Sequence, residues 1–199
     1  PLTRLTPETA PATAAQDRFY FSLDLGSAYY IQYNTCREDP ELPMEDFTAQ
    51  VAADLAEKDY DKVLIDLRGN GGGSDGVLVP LLMLLAPMVR SGEVEVWGLI
   101  GEATFSSAVI NAMEIREMGG FLAGEATGGS VDHFGSVGTF TLPNSGIRGQ
   151  FSTKYIALGD YLECAVGLGV TPVQPELAVS QTLADDLAGR DTVVETLLA

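Results

Sequence analysis

Lys62-Val63-Leu64-Ile65-Asp66-Leu67 runs straight into Arg68-Gly69-Asn70-Gly71-Gly72-Gly73. The first half is a short apolar run with little polar alternation. Such a run suits a strand buried on both faces, the usual condition of a parallel sheet. The second half stops the strand. Its glycines let the backbone take positive φ and bring N–H groups close to whatever sits beside them. The loop has neither the Lys-Ser/Thr pair of a phosphate loop nor the spacing of a dinucleotide fingerprint. It reads either as a tight strand-to-helix turn or as a row of backbone donors for a developing oxyanion.

The flanking segments extend the pattern. Upstream, residues 44–58 predict a helix, because Phe47, Val51 and Leu55 recur at intervals of four. Downstream, residues 76–90 predict a mostly apolar helix in which Pro80 is tolerable only near the first turn. A strand over 94–100, a helix over 106–118 and a short strand over 121–123 follow. Strand–helix alternation of this kind indicates an α/β domain with a parallel sheet and crossover helices. Two further strands are expected at 19–23 and 29–33, before the first helix. After residue 135 the texture changes: Pro143-Asn144-Ser145-Gly146 between two β-rich runs predicts a hairpin, and residues 181–188 and 192–198 predict closing helices. Residues 1–17, rich in proline and threonine and without period, are expected to be an extended linker or arm, leaving 18–199 as the domain.

Bulk properties narrow the function. With 46% apolar residues the chain is expected to be globular, and no run reaches the length of a membrane helix. The formal net charge is −17, which disfavours nucleic acid and anionic membrane surfaces. The two cysteines, Cys36 and Cys164, fit no zinc pattern, and their spacing leaves a disulfide open. Neither a metal nor a cofactor is expected.

Two more segments follow predicted strands and carry reactive groups. In Gly101-Glu102-Ala103-Thr104-Phe105-Ser106-Ser107-Ala108 a serine sits where a helix begins. An N-cap serine is the simpler explanation of that residue taken alone. A nucleophile at the same place gains from the helix dipole and nearby N–H donors. Gly124-Glu125-Ala126-Thr127-Gly128-Gly129-Ser130-Val131-Asp132-His133 holds the chain's single histidine next to a carboxylate.

Taken in order, Asp66-Leu67-Arg68-Gly69-Asn70-Gly71-Gly72-Gly73, Thr104-Phe105-Ser106 and Gly124-Glu125-Ala126-Thr127-Gly128-Gly129 resemble the motifs of the tail-specific (C-terminal processing) proteases, a family of serine peptidases. Leu142-Pro143-Asn144-Ser145-Gly146, Ser152-Thr153-Lys154-Tyr155 and the stretch from Pro175 to Val179 agree with it, and Tyr30-Ile31-Gln32-Tyr33-Asn34 resembles a secreted bacterial branch. The resemblance covers about residues 19–199. It implies a crotonase/ClpP-like core of stacked β-β-α units and peptide-bond hydrolysis through an acyl-enzyme. Ser106 matches the nucleophile, with Ser107 as the neighbouring register. The Ser107 N–H and a glycine N–H from Gly72 or its neighbour match the oxyanion hole. Peptide or unfolded protein is the implied substrate, docked along a strand edge. An extracytoplasmic location and an upstream domain outside this sequence are implied as well.

One position departs from the family. Its serine is usually paired with a lysine just after Gly-Glu-x-Thr-x-Gly, and here that place holds Ser130. The three lysines, Lys58, Lys62 and Lys154, lie elsewhere. Either His133, beside Asp132, supplies the base in a Ser–His arrangement, or the base is gone and the chain is a catalytically inactive peptide-binding pseudoprotease. A crotonase-like domain acting on a small thioester is the reading from a different class.

Overall fold

The computed structural model describes residues 11, 13 and 17–199. The expected arm over 1–17 lies outside the described residues except at Pro11, Thr13 and Asp17. In chain order the elements are β1 (Tyr20–Asp24), β2 (Ala28–Tyr33), α1 (Met44–Glu57), β3 (Lys62–Asp66), α2 (Val79–Ser91), β4 (Glu95–Ile100), α3 (Ser107–Glu117), β5 (Phe121–Gly124), β6 (His133–Thr141), β7 (Arg148–Ile156), β8 (Leu177–Ala178), α4 (Leu183–Leu187) and α5 (Thr192–Leu198).

Six strands form one sheet in the order β1-β2-β3-β4-β5-β8. β1 is antiparallel to β2 across a tight turn at Gly26, and every later pair is parallel. The crossovers from β2 to β5 run through α1, α2 and α3 in turn. The core alternates with the strand period, as a pleated sheet requires. Tyr29, Ile31, Val63, Ile65, Val96, Ile100 and Leu122 pack on the face covered by these three helices. Tyr30, Leu64, Leu99 and Ala123 pack on the opposite face against Val193, Val194 and Leu197 of α5. Both faces are therefore buried, which is why β3 reads as a continuous apolar run.

Pro80 sits in the first turn of α2, where its missing N–H costs nothing, and Gly92 closes the helix at φ 73°. β6 and β7 form a separate antiparallel hairpin, whose turn places Gly146 at φ 69°. Each of its strands is nine residues long, longer than the motif predicts. The two-residue strand β8 carries no sequence pattern of its own and is added at the edge by pairing with Ala123 and Gly124.

A buried polar cluster ties the sheet to the chain ends. The Arg68 guanidinium donates to Asp66 at 2.6 Å and to Asp191 at 2.7 and 2.9 Å. Thr13 donates to Asp191, and its carbonyl accepts from Gln32. Burial alone would lower the basicity of Arg68, but the two carboxylates outweigh it and hold the guanidinium more firmly charged. Both cysteines are free thiols. Among the described residues no helix is long and apolar enough to cross a membrane, and no group of His, Cys, Asp and Glu is arranged to hold a metal.

Candidate active site

Parallel strands bring their carboxyl ends to one edge of a sheet, and β3, β4 and β5 are adjacent. The loops that leave them, residues 69–73, 101–106 and 125–130, are therefore neighbours in space. This edge is where open α/β sheets place their ligands.

The turn before α3 is held from two sides. Thr104 is fully buried; its hydroxyl donates to the Leu67 carbonyl at 2.8 Å and accepts from the Gly101 N–H at 3.0 Å. The Phe105 N–H donates to the Asn70 carbonyl at 3.0 Å, and the Gly129 N–H donates to the Thr104 carbonyl at 3.1 Å. The third loop can lie this close only because it is glycine: a Cβ on Gly128 would fall 2.0 Å from the Glu102 carbonyl oxygen.

At the end of this turn Ser106 has φ 54° and ψ −126°, a conformation that L-residues rarely adopt. Strain of this kind, on the order of 1–3 kcal/mol, persists where surrounding structure over-determines it. Ser106 precedes α3 but its side chain caps nothing. Among the described residues its hydroxyl has no hydrogen-bond partner. The N-cap explanation of this serine therefore does not hold. Ser107 behaves oppositely: it is buried, and its hydroxyl donates to the Gly73 carbonyl at 2.9 Å. Of the two adjacent serines, only Ser106 keeps a free hydroxyl.

Gly72 fixes the distance between the first two loops. It has φ 100°, and a Cβ there would stand 2.8 Å from the Ser106 Cβ and 2.9 Å from the Phe105 carbonyl oxygen. Its own N–H donates to the Asn70 side-chain oxygen at 2.9 Å. The expected role of Gly72 as a free oxyanion donor is thus altered: its N–H is engaged, and it serves as the close backbone contact. The Gly73 N–H and the Ser107 N–H, the latter at the open end of α3, have no hydrogen-bond partner among the described residues. Asn70 is fully buried and also donates to the Tyr33 carbonyl at 2.8 Å. Beneath it the Cys36 thiol, pushed up to about 11 by burial, lies 3.4 Å from both the Asn70 and the Asn111 side-chain oxygens.

The hairpin supplies the far wall. A cleft of about 710 Å³ is enclosed by the glycine loop, Phe105, Ser106, Ser107 and Ile110 on one side, and by Gly135, Val137, Gln150 and Ser152 of the hairpin on the other. Arg37 and Asp75 also line it. None of these wall residues outside the motifs was expected from sequence. The hairpin residues lie in strands too glycine-rich for a clear alternation, and Arg37 lies in a loop without period.

His133 opens β6 and shares a strand face with Gly135 and Val137. Its Nδ1 is 3.0 Å from the Ser130 carbonyl and 3.2 Å from the Val131 carbonyl. Two carbonyls require that nitrogen to carry the hydrogen, which leaves the lone pair on Nε2. Nε2 is buried and without a partner. A Cβ on Gly135, at the rim of the cleft, would lie 3.8 Å from it. His133 makes no hydrogen bond to Ser106. The expected support from Asp132 is not formed either. That carboxylate accepts from the Leu158 N–H at 2.9 Å and lies 3.4 Å from the Tyr155 hydroxyl, because the hairpin draws it toward β7. Ser130 pairs with Pro172 and meets His133 through its carbonyl, not its hydroxyl.

No protein-family model and no curated protein sequence matches the chain. Solved structures do. The mature form of CPAF superposes with a TM-score of 0.59 at 13% identity, over 93% of this chain and 54% of its own. The photosystem II D1 C-terminal processing protease gives 0.53 at 15% identity, over 87% and 52%. A lipoprotein from Streptococcus agalactiae gives 0.50 at 17% identity, over 81% and 66%. The chain therefore has the α/β fold of the C-terminal processing proteases. It spans between about half and two thirds of the length of these structures.

Proposed function

We propose that residues 18–199 form a serine endopeptidase core of the tail-specific class, crotonase/ClpP-like in its stacking, with Ser106 as nucleophile. The observation that carries this reading is the state of Ser106. It is strained, packed on Gly72, free of any capping duty, and open to the cleft. A serine that merely capped α3 would have no reason to hold this conformation.

In the acylation step the Ser106 Oγ attacks the peptide carbonyl carbon as its proton passes to a base. The reading assigns that base to His133 Nε2, directly or through one water. The carbonyl oxygen becomes an oxyanion and accepts from the Ser107 N–H and a glycine-loop N–H. Return of the proton to the leaving amine breaks the C–N bond and leaves an ester on Ser106. Water then hydrolyses the ester by the same route in reverse. The substrate is an extended peptide lying between the glycine loop and the hairpin, and the location is extracytoplasmic.

The inactive peptide-binding reading is favoured by one observation: neither Ser130, at the place of the dyad lysine, nor His133 is hydrogen-bonded to Ser106. Casein digestion by the parent, Ser106→Ala, His133→Ala and Ser130→Lys separates the two. Cleavage lost in both alanine variants supports the Ser–His assignment. An inert parent that gains cleavage as Ser130→Lys selects the pseudoprotease. Cleavage that survives Ser106→Ala refutes the nucleophile.

A further inference from the structure

Cations are scarce in this chain: 11 Lys and Arg stand against 28 Asp and Glu. Several are held by partners. Lys58 pairs with Asp24, Arg68 with Asp66 and Asp191, Arg116 with Glu176, and Arg190 with Asp185 and Glu195. Lys62 donates to the Leu197 carbonyl. Arg37 is different. It lines the Ser106 cleft, yet among the described residues it makes neither an ion pair nor a hydrogen bond. Asp75, the carboxylate on the same cleft, makes no ion pair with it.

The position of Arg37 is set by the backbone before it. The Cys36 N–H donates to the Gly72 carbonyl at 3.2 Å, and the Cys36 carbonyl accepts from the Ser74 N–H at 2.7 Å. A Cβ on Gly73 would lie 2.2 Å from the Cys36 carbonyl oxygen, so this segment and the glycine loop cannot separate without breaking both bonds. Arg37 is thereby anchored one residue from the wall against which Ser106 packs.

A surface so rich in carboxylates repels an acidic peptide at a distance. An unpaired cation on the cleft that holds the nucleophile reverses that preference locally. A guanidinium offers a planar fork that a carboxylate fills with two parallel hydrogen bonds. We infer that Arg37 forms a subsite for a carboxylate of the bound peptide, either an acidic side chain or the chain terminus. This rests on the peptide-binding part of the function proposed above, and not on turnover.

The test uses Ser106→Ala, so that peptides stay intact, and fluorescein-labelled octapeptides of alanine and leucine. One series carries a single Glu moved along the peptide and a matched series carries Gln, each with a free or an amidated C-terminus. Binding is followed by fluorescence anisotropy. The expected result is about five- to tenfold tighter binding of the carboxylate-bearing member, the range of one charge-assisted hydrogen-bonded pair at a partly exposed site. That preference disappears in Ser106→Ala/Arg37→Gln and persists in Ser106→Ala/Lys154→Gln, a cation outside the cleft lining, with thermal melting unchanged because both side chains are exposed and unbonded. A preference for Glu identifies a side-chain carboxylate, and a preference for the free acid identifies the terminus. Equal affinity for all peptides, a preference that survives Arg37→Gln, or no binding at all overturns the inference. Fluorophosphonate labelling of the parent is read separately. Labelling without charge preference leaves the peptidase reading standing and this one refuted; charge-dependent binding without labelling does the reverse.

Discussion

Gly72→Ala puts the contact between the glycine loop and the nucleophile turn under direct strain. The new Cβ would arrive 2.8 Å from the Ser106 Cβ and 2.9 Å from the Phe105 carbonyl oxygen, on a residue whose φ is 100°. Forcing an L-residue into a left-handed conformation costs about 1–2 kcal/mol. Overpacking a tight contact adds about 1–3 kcal/mol. The sum is about 2–5 kcal/mol, which for a domain of this size lowers Tm by roughly 5–20 °C. The loss should be accompanied by a slower reaction of Ser106 with a fluorophosphonate, because the turn is what moves. Gly71→Ala is the control one residue away. Its Cβ meets nothing within 4 Å and its φ is not positive, so its stability should stay within about 0.5 kcal/mol of the parent or rise slightly. Urea titration of the three proteins gives the comparison. If Gly72→Ala is as stable as Gly71→Ala and labels at the parental rate, the two loops are not packed as described.

Further predictions follow from the same geometry. Arg68→Ala strands two carboxylates, Asp66 and Asp191, that are mostly buried, and should cost about 3–5 kcal/mol at neutral pH by chemical denaturation. Burial pushes the Asp191 carboxyl up, but its bonds to Arg68 outweigh that and hold it below its ordinary value of 3.8. A depressed acid contributes stability above its unfolded value and loses it as pH falls, so the parent should weaken below about pH 4. Arg68→Ala should lack that share of the acid dependence; an unchanged acid limb would contradict the pairing. Burial pushes the Cys36 thiol up to about 11 and the Cys164 thiol up to about 12, so both should react slowly with a thiol reagent at pH 8 and two thiols should appear on unfolding. No thiol on unfolding would mean a disulfide. Gly135→Val would crowd Ile156 and press on the His133 ring beside its Nε2, and should slow labelling at least tenfold with less than about 2 kcal/mol of stability lost. An unchanged rate would remove His133 from the mechanism.

Much of the sheet is readable because β3, β4 and β5 each run into a glycine-bearing loop that breaks the apolar run. β3 before Gly69 and β4 before Gly101 are the clearest cases. The two-residue β8 leaves too short a pattern to detect; it exists through register with Ala123 and Gly124. The hairpin is underestimated because Gly135, Gly138 and Gly149 interrupt the alternation, while cross-strand ring pairs such as Phe134–Tyr155 and Phe140–Phe151 carry it past them. At the site, motif order marks Ser106, but which of Ser106 and Ser107 keeps a free hydroxyl depends on the Gly73 carbonyl, contributed by another loop. The state of His133 is equally hidden. Adjacency suggested Asp132 as its partner, whereas its Nδ1 meets two backbone carbonyls and Asp132 turns to Leu158 and Tyr155. Arg37 gives no signal in sequence, because its significance is the absence of a partner in three dimensions.

The central claim is that Ser106 is a reactive nucleophile held by its neighbours. Incubation with a fluorophosphonate, followed by peptide mapping in a mass spectrometer, tests it most directly. One adduct is expected, on Ser106, that is lost in Ser106→Ala and strongly reduced in His133→Gln. An adduct on Ser107 or elsewhere, or labelling that persists in Ser106→Ala, would contradict it.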